Sequence, residues 1–146
     1  MNNVYAPQAV NGLNYQPPEG YYDVGFDGYV FDIVLQPGQL LRDQAILISN
    51  DADFELRAYS YTQPTGDIGA FLYRLSDGQG NYLSNAMIAN TNMSPFPDRP
   101  TVMFPGLLFV RGGMIGIDIQ NLDLMNTNTI QIVFRGVKRY RAVKAA

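Results

Sequence analysis

The chain has 146 residues, 47% of them hydrophobic and only 16% charged, with no His, Cys or Trp. That length suits one domain with a continuous core, while the missing His and Cys remove the common proton shuttle, the thiol nucleophile, thiolate metal sites and every disulfide. The formal charge of −3 conceals an asymmetry: all thirteen acids and five bases precede residue 135, whereas Arg135, Lys138, Arg139, Arg141 and Lys144 crowd the last twelve positions.

Residues 1 to 28 form one compositional block rich in Asn, Gly, Pro and Tyr, without a helical or alternating apolar period. It opens on Met1-Asn2-Asn3-Val4-Tyr5, which lacks the basic and apolar blocks of a secretory leader. Pro7, Pro17 and Pro18 exclude helix interiors and regular ladders, and Asn11-Gly12 and Glu19-Gly20 read as turns. Such a segment buries too little apolar surface to offset roughly 1 to 2 kcal/mol of backbone entropy per residue. An extended N-terminal arm is therefore expected, ordered by another surface through Val4, Tyr5, Leu13, Tyr15, Tyr21 and Tyr22. The alternative is an arm folded back on its own domain.

From Tyr29 onward the apolar period is two, so strands are expected between closely spaced turns. Phe31, Ile33 and Leu35 share one face of a first strand over 29 to 35, which Pro37-Gly38 ends. A second runs from about Leu40 to Ser49, and after the Asn50-Asp51-Ala52-Asp53 turn a third covers 54 to 61. Alternation there points Phe54, Leu56 and Ala58 inward and leaves Glu55, Arg57, Tyr59 and Tyr61 outside. Phe71 to Leu75 is a fourth strand, Asp77-Gly78-Gln79-Gly80-Asn81 a hairpin turn, and Tyr82 to Ser84 a short return that reaches toward Ile88. Between Asn90 and Pro105 lies a loop with four prolines, long enough to serve as an interaction loop, at Phe96 and Arg99, or as a packed cover over a sheet edge.

The last third holds the cleanest strands: Leu107 to Val110, Met114 to Gln120 and Thr129 to Arg135. Ile115, Ile117 and Ile119 on one, and Ile130, Ile132 and Phe134 on the next, make facing core triplets whose burial is worth about 1.5 to 3 kcal/mol per side chain. The sum is an all-β, two-sheet antiparallel sandwich of about eight strands, jelly-roll-like, over residues 29 to 141, with the arm at 1 to 28 and a tail at 142 to 146. The basic end, Lys138, Arg139 and Arg141, reads either as a contact for an acidic partner or as a solvated edge strand.

Chemistry for catalysis is sparse. The acids are spread singly over turns and strand faces, and Asp32, Asp43 and Asp118 lie within strands where they could converge. Hydroxyl nucleophiles have no His base, and Lys138 and Lys144 are the only lysines. The string from Asp77 departs from a calcium loop, with Tyr82 and Ile88 where Gly and Glu belong. No catalytic, metal or cofactor site is expected. Five clustered bases beside one aromatic, Tyr140, make a poor phosphate-tracking surface, so neither direct nucleic acid contact nor a membrane is expected. Ten tyrosines, several on expected outward positions, fit a protein interface or, through Tyr59 and Tyr61, a sugar-stacking surface.

The stretches LLRDQAILISNDADFELRAY, AFLYRLSDGQGNYLSNAMI, MIGIDIQNL and IQIVFRGVKRY, within Leu40 to Tyr140, resemble small β-sandwich head decoration, or cement, proteins of tailed bacteriophages. The resemblance implies a non-enzymatic virion protein on the capsid exterior, made in the host cytoplasm. It would form oligomers with copies of itself and clamp neighbouring major capsid protein subunits. A receptor- or carbohydrate-binding module of a tail or fibre, or a neck or tail connector, is the alternative.

Overall fold

The structure, a computed structural model, describes residues 17–66, 69–93, 95 and 100–142. Eight strands run in chain order: β1 (Tyr21–Leu35), β2 (Leu40–Leu47), β3 (Asp53–Thr62), β4 (Phe71–Ser76), β5 (Ile88–Ala89), β6 (Thr101–Phe109), β7 (Met114–Asn121) and β8 (Asn128–Arg141). They make two four-stranded antiparallel sheets, ordered β1-β8-β3-β6 and β2-β7-β4-β5. The pairings nest. β1 pairs with β8, β2 with β7, β3 with β6 and β4 with β5, as in one long ribbon folded at the β4–β5 hairpin. Rolling that ribbon up brings β3 against β8 and β4 against β7, which is the jelly roll expected from the sequence.

The core lies where the two inner faces meet. Ile115, Ile117 and Ile119 of β7 face Ile130, Ile132 and Phe134 of β8 across the sandwich, and all six are buried. Phe54, Leu56, Phe71, Tyr73 and Leu35 complete the layer. The hairpin turn also forms as read: the Asp77 and Asn81 backbones bond at 3.0 Å, and the Asp77 carboxylate caps the amides of Gln79 and Asn81 at 2.8 and 3.1 Å. Its return is shorter than expected, a single bridge from Ser76 to Tyr82 followed by the two residues of β5.

Three expectations need correction. First, the leading strand starts at Tyr21, eight residues early, so residues 21 to 28 belong to the sheet and not to an arm. The Tyr21 amide closes a turn onto the Pro18 carbonyl at 3.1 Å with Gly20 at φ 85°, and the ladder to β8 begins there. The alternation Tyr22, Val24, Phe26 was hidden because the register slips by one residue between Phe26 and Tyr29. Gly28 makes the slip feasible: its φ is 151°, and a Cβ there would lie 2.7 Å from Val133 Cγ1.

Second, Tyr59 and Tyr61 point inward. β3 slips register between Leu56 and Ala58 against both neighbours, which sends Ala58 to the outer face and the two tyrosines to the core side. Both slips, in β1 and in β3, occur beside Gly136 of β8, where a Cβ would collide with the Glu55 carbonyl. Third, the basic C-terminal stretch is no sheet edge. β8 continues to Arg141 between β1 and β3, two central ladders that only a long interior strand can serve.

The proline-rich loop is partly a cover. It opens with a 3-10 turn at Asn90–Asn92, whose Asn90 side chain accepts from the Phe71 amide at 3.3 Å and bonds the Tyr61 hydroxyl at 3.2 Å. Met93 enters the core, and β6 begins at Thr101, earlier than the expected Leu107.

Candidate interaction surface

The start of β1 and the end of β8 bring together residues that the sequence separates by more than a hundred positions. Tyr21 pairs with Arg141, Tyr22 with Tyr140, Asp23 with Arg139 and Val24 with Lys138. Ladder partners share a face, so this extension of the sheet carries two different surfaces.

On the core-side face, Tyr22 stacks on Tyr140 with ring centroids 5.4 Å apart. The β2–β3 turn closes over its base. Asp51 accepts from the Tyr140 hydroxyl at 2.9 Å and pairs with Lys138 Nζ at 3.0 Å, while that ammonium lies 4.5 Å from the centre of the Phe26 ring. Hydrogen bonds from Ser49, Lys138 and Tyr140 hold the Asp51 carboxyl well below the usual carboxylate range. The same network raises Tyr140, chiefly through its bond to Asp51. Above this base Tyr22 and Val24 remain about half exposed, an aromatic and apolar ledge on a rigid ladder.

The opposite face is ionic and buried. Arg139 is 1% exposed and grips Asp23 with two bonds of 2.7 Å. Glu55, fully buried, binds Arg57 at 2.6 Å and lies 3.6 Å from Arg139. Arg57 also reaches Asp23 at 3.6 Å, so two acids and two bases balance within one cluster. Taking these charges from water costs several kcal/mol each unless they are paired this way.

The structure thus sorts the expected interface residues. Tyr22 and Arg141 are exposed, Tyr21 and Lys138 are half-buried beside them, and Arg139 is a buried ion-pair centre instead of a contact for a partner. Val4, Tyr5, Leu13, Tyr15, Phe96 and Arg99 lie outside the described residues. Tyr59 and Tyr61 offer no outward stacking surface: Tyr59 is in the core, with its hydroxyl 3.2 Å from that of Tyr73, and Tyr61 packs edge-on against Phe71. Sequence reasoning missed Asp23, Asp51, Glu55 and Tyr140 as organisers of this region, because their partners come from distant strands.

Of the acids placed within strands, Asp43 and Asp118 do meet. The Asp43 amide, at φ 56°, donates to Asp118 Oδ1 at 2.8 Å across the β2–β7 ladder. Asp32 lies in the other sheet, accepting from Gln131 Nε2 at 2.9 Å. Among the described residues no group of three His, Cys, Asp or Glu side chains could hold a metal.

A second exposed apolar feature sits at the far end of the sandwich. In the β7–β8 loop Leu124 and Met125 are 77% and 84% exposed. The loop is braced from within, Asp123 Oδ1 accepting from the amides of Met125 and Asn126 at 2.8 and 3.0 Å.

Among the described residues these features define an eight-stranded jelly roll that carries an aromatic ledge and an apolar loop tip. No family model matches the chain, and neither the curated proteins nor the solved structures contain a match.

Proposed function

We propose that this chain is a non-enzymatic structural protein of a virion, a capsid decoration protein that bridges neighbouring major capsid protein subunits and contacts copies of itself. The observation that carries the reading is the rolled ribbon, β1-β8-β3-β6 against β2-β7-β4-β5, an architecture that recurs in viral capsid domains. The support is architectural, an analogy of fold, joined to the resemblance of the strand-turn strings. A rigid body with contacts at its two ends, the Tyr22–Val24 ledge and the Leu124–Met125 tip, suits a clamp. Many weak contacts per copy then sum through avidity.

Imaging of purified particles tests this directly: the protein should form density on the outer shell, spanning subunit boundaries, and density confined to a tail or neck would overturn the capsid assignment. Removal of residues 1 to 16 should lower occupancy on the particle while the fold is kept. The truncation must stop there, because Tyr21 and Tyr22 are already part of the β1–β8 ladder.

A further inference from the structure

A jelly roll of two open sheets has four edge strands, and three of them are blunted. β5 is only two residues long. β2 breaks register between Leu41 and Gln44, where Asp43 adopts a left-handed backbone. β6 faces β3 with a register jump between Leu107 and Val102, a stretch that includes Pro105, which has no N–H to donate. Interruptions of this kind are how natural sheets keep foreign strands from pairing.

β1 differs. From Tyr29 to Leu35 it pairs with β8 without a slip over seven residues, and that run, Tyr-Val-Phe-Asp-Ile-Val-Leu, holds no Pro, Gly, Lys or Arg. On its other side it has no partner strand among the described residues. Half of the backbone N–H and C=O groups of such a strand turn away from its one neighbour. Outward from the same stretch project Val30 and Val34, about half exposed, with Asp32 between them.

We infer that the free edge of β1, from Tyr29 to Leu35, is a docking strand that takes an extended segment of another polypeptide by strand addition, with a Lys or Arg opposite Asp32 and apolar side chains opposite Val30 and Val34. Main-chain bonds supply the affinity in such pairing, and alternate side chains supply the selection. Charge decides against a second copy of β1 as the occupant. The strand carries Asp23, Asp27 and Asp32 and no base, so pairing centred on Asp32 would set two carboxylates face to face. Shifting the centre to Phe31 or Ile33 would leave each Asp32 against a valine. A basic extended segment meets neither penalty.

The test uses the full chain, isotope-labelled, titrated with a capped peptide Thr-Val-Thr-Lys-Thr-Val-Thr and with its Glu counterpart. Amide shifts should change at Val30, Asp32 and Val34 and along β8 beyond them, with the Lys peptide binding about 3- to 10-fold more tightly than the Glu peptide at low salt. In Asp32→Lys, a solvent-face change, the preference should reverse. Val34→Pro should remove binding, and a retained melting transition would show that the sheet survives it. Shifts located elsewhere, or equal binding of both peptides, would overturn the assignment. So would protection, in the free monomer, of those β1 amides that turn away from β8, which indicates cover by the chain's own N-terminal residues, or protection of them that grows with protein concentration, which indicates a second copy. Peptide pairing and particle occupancy are separable, so the docking strand and the capsid reading can fail independently.

Discussion

Asp51 shows how much one exposed side chain can organise. It joins the β2–β3 turn to β8 through Ser49, Lys138 and Tyr140, and its carboxyl is held low in the folded state. A depressed folded value means that its stabilisation is present above the unfolded carboxylate range near pH 4 and is lost as pH falls through the lower folded value. Asp77 and Asp123 are depressed as well, Asp77 first by its bond from Asn81 and Asp123 first by the Met125 amide. Urea midpoints should therefore decline between pH 5 and pH 2, and Asp51→Asn should make that decline shallower without abolishing it. Arg139 poses the opposite case, a buried charge. Arg139→Ala leaves two acids, Asp23 and Glu55, against the single guanidinium of Arg57 in that cluster, and urea unfolding should register a loss of about 3 to 5 kcal/mol.

At the scale of elements, the strand interiors were legible and the slips were not. The triplets Ile115, Ile117, Ile119 and Ile130, Ile132, Phe134 announce themselves because side chains alternate with period two and β7 and β8 are regular there. In β3 the same alternation misplaces Tyr59, since one extra residue at Arg57 reverses the phase of everything after it. No local residue signals that slip; the signal is Gly136, five strands later in sequence, which lets the Glu55 backbone approach. Gly136→Ala should therefore cost roughly 1 to 3 kcal/mol in thermal or urea unfolding. Gly25→Ala in β1, where a Cβ meets nothing within 4 Å, should be close to neutral or slightly stabilising. The candidate surface followed the same rule. Tyr22 and Arg141 were identifiable as exposed contact types, whereas the burial of Arg139 depended on Asp23, 116 positions away.

At the scale of the whole molecule, the first strand pairs with the last, and every ladder except the β4–β5 hairpin joins distant segments. Closing such loops costs entropy before contacts repay it, so refolding from urea should fall in the millisecond to second range, as stopped-flow fluorescence of the tyrosines can measure. A microsecond phase carrying the full amplitude would contradict this. The sequence by itself determined the all-β class, the approximate strand count, the hairpin at Asp77 and the apolar triplets, because those follow from local periodicity and turn chemistry. Only the tertiary structure decided which strands neighbour one another, where the registers slip, which charges are buried and which long edge has no partner strand among the described residues. Each of those depends on pairing between residues far apart in the chain, and alternation along one strand carries no information about its neighbours.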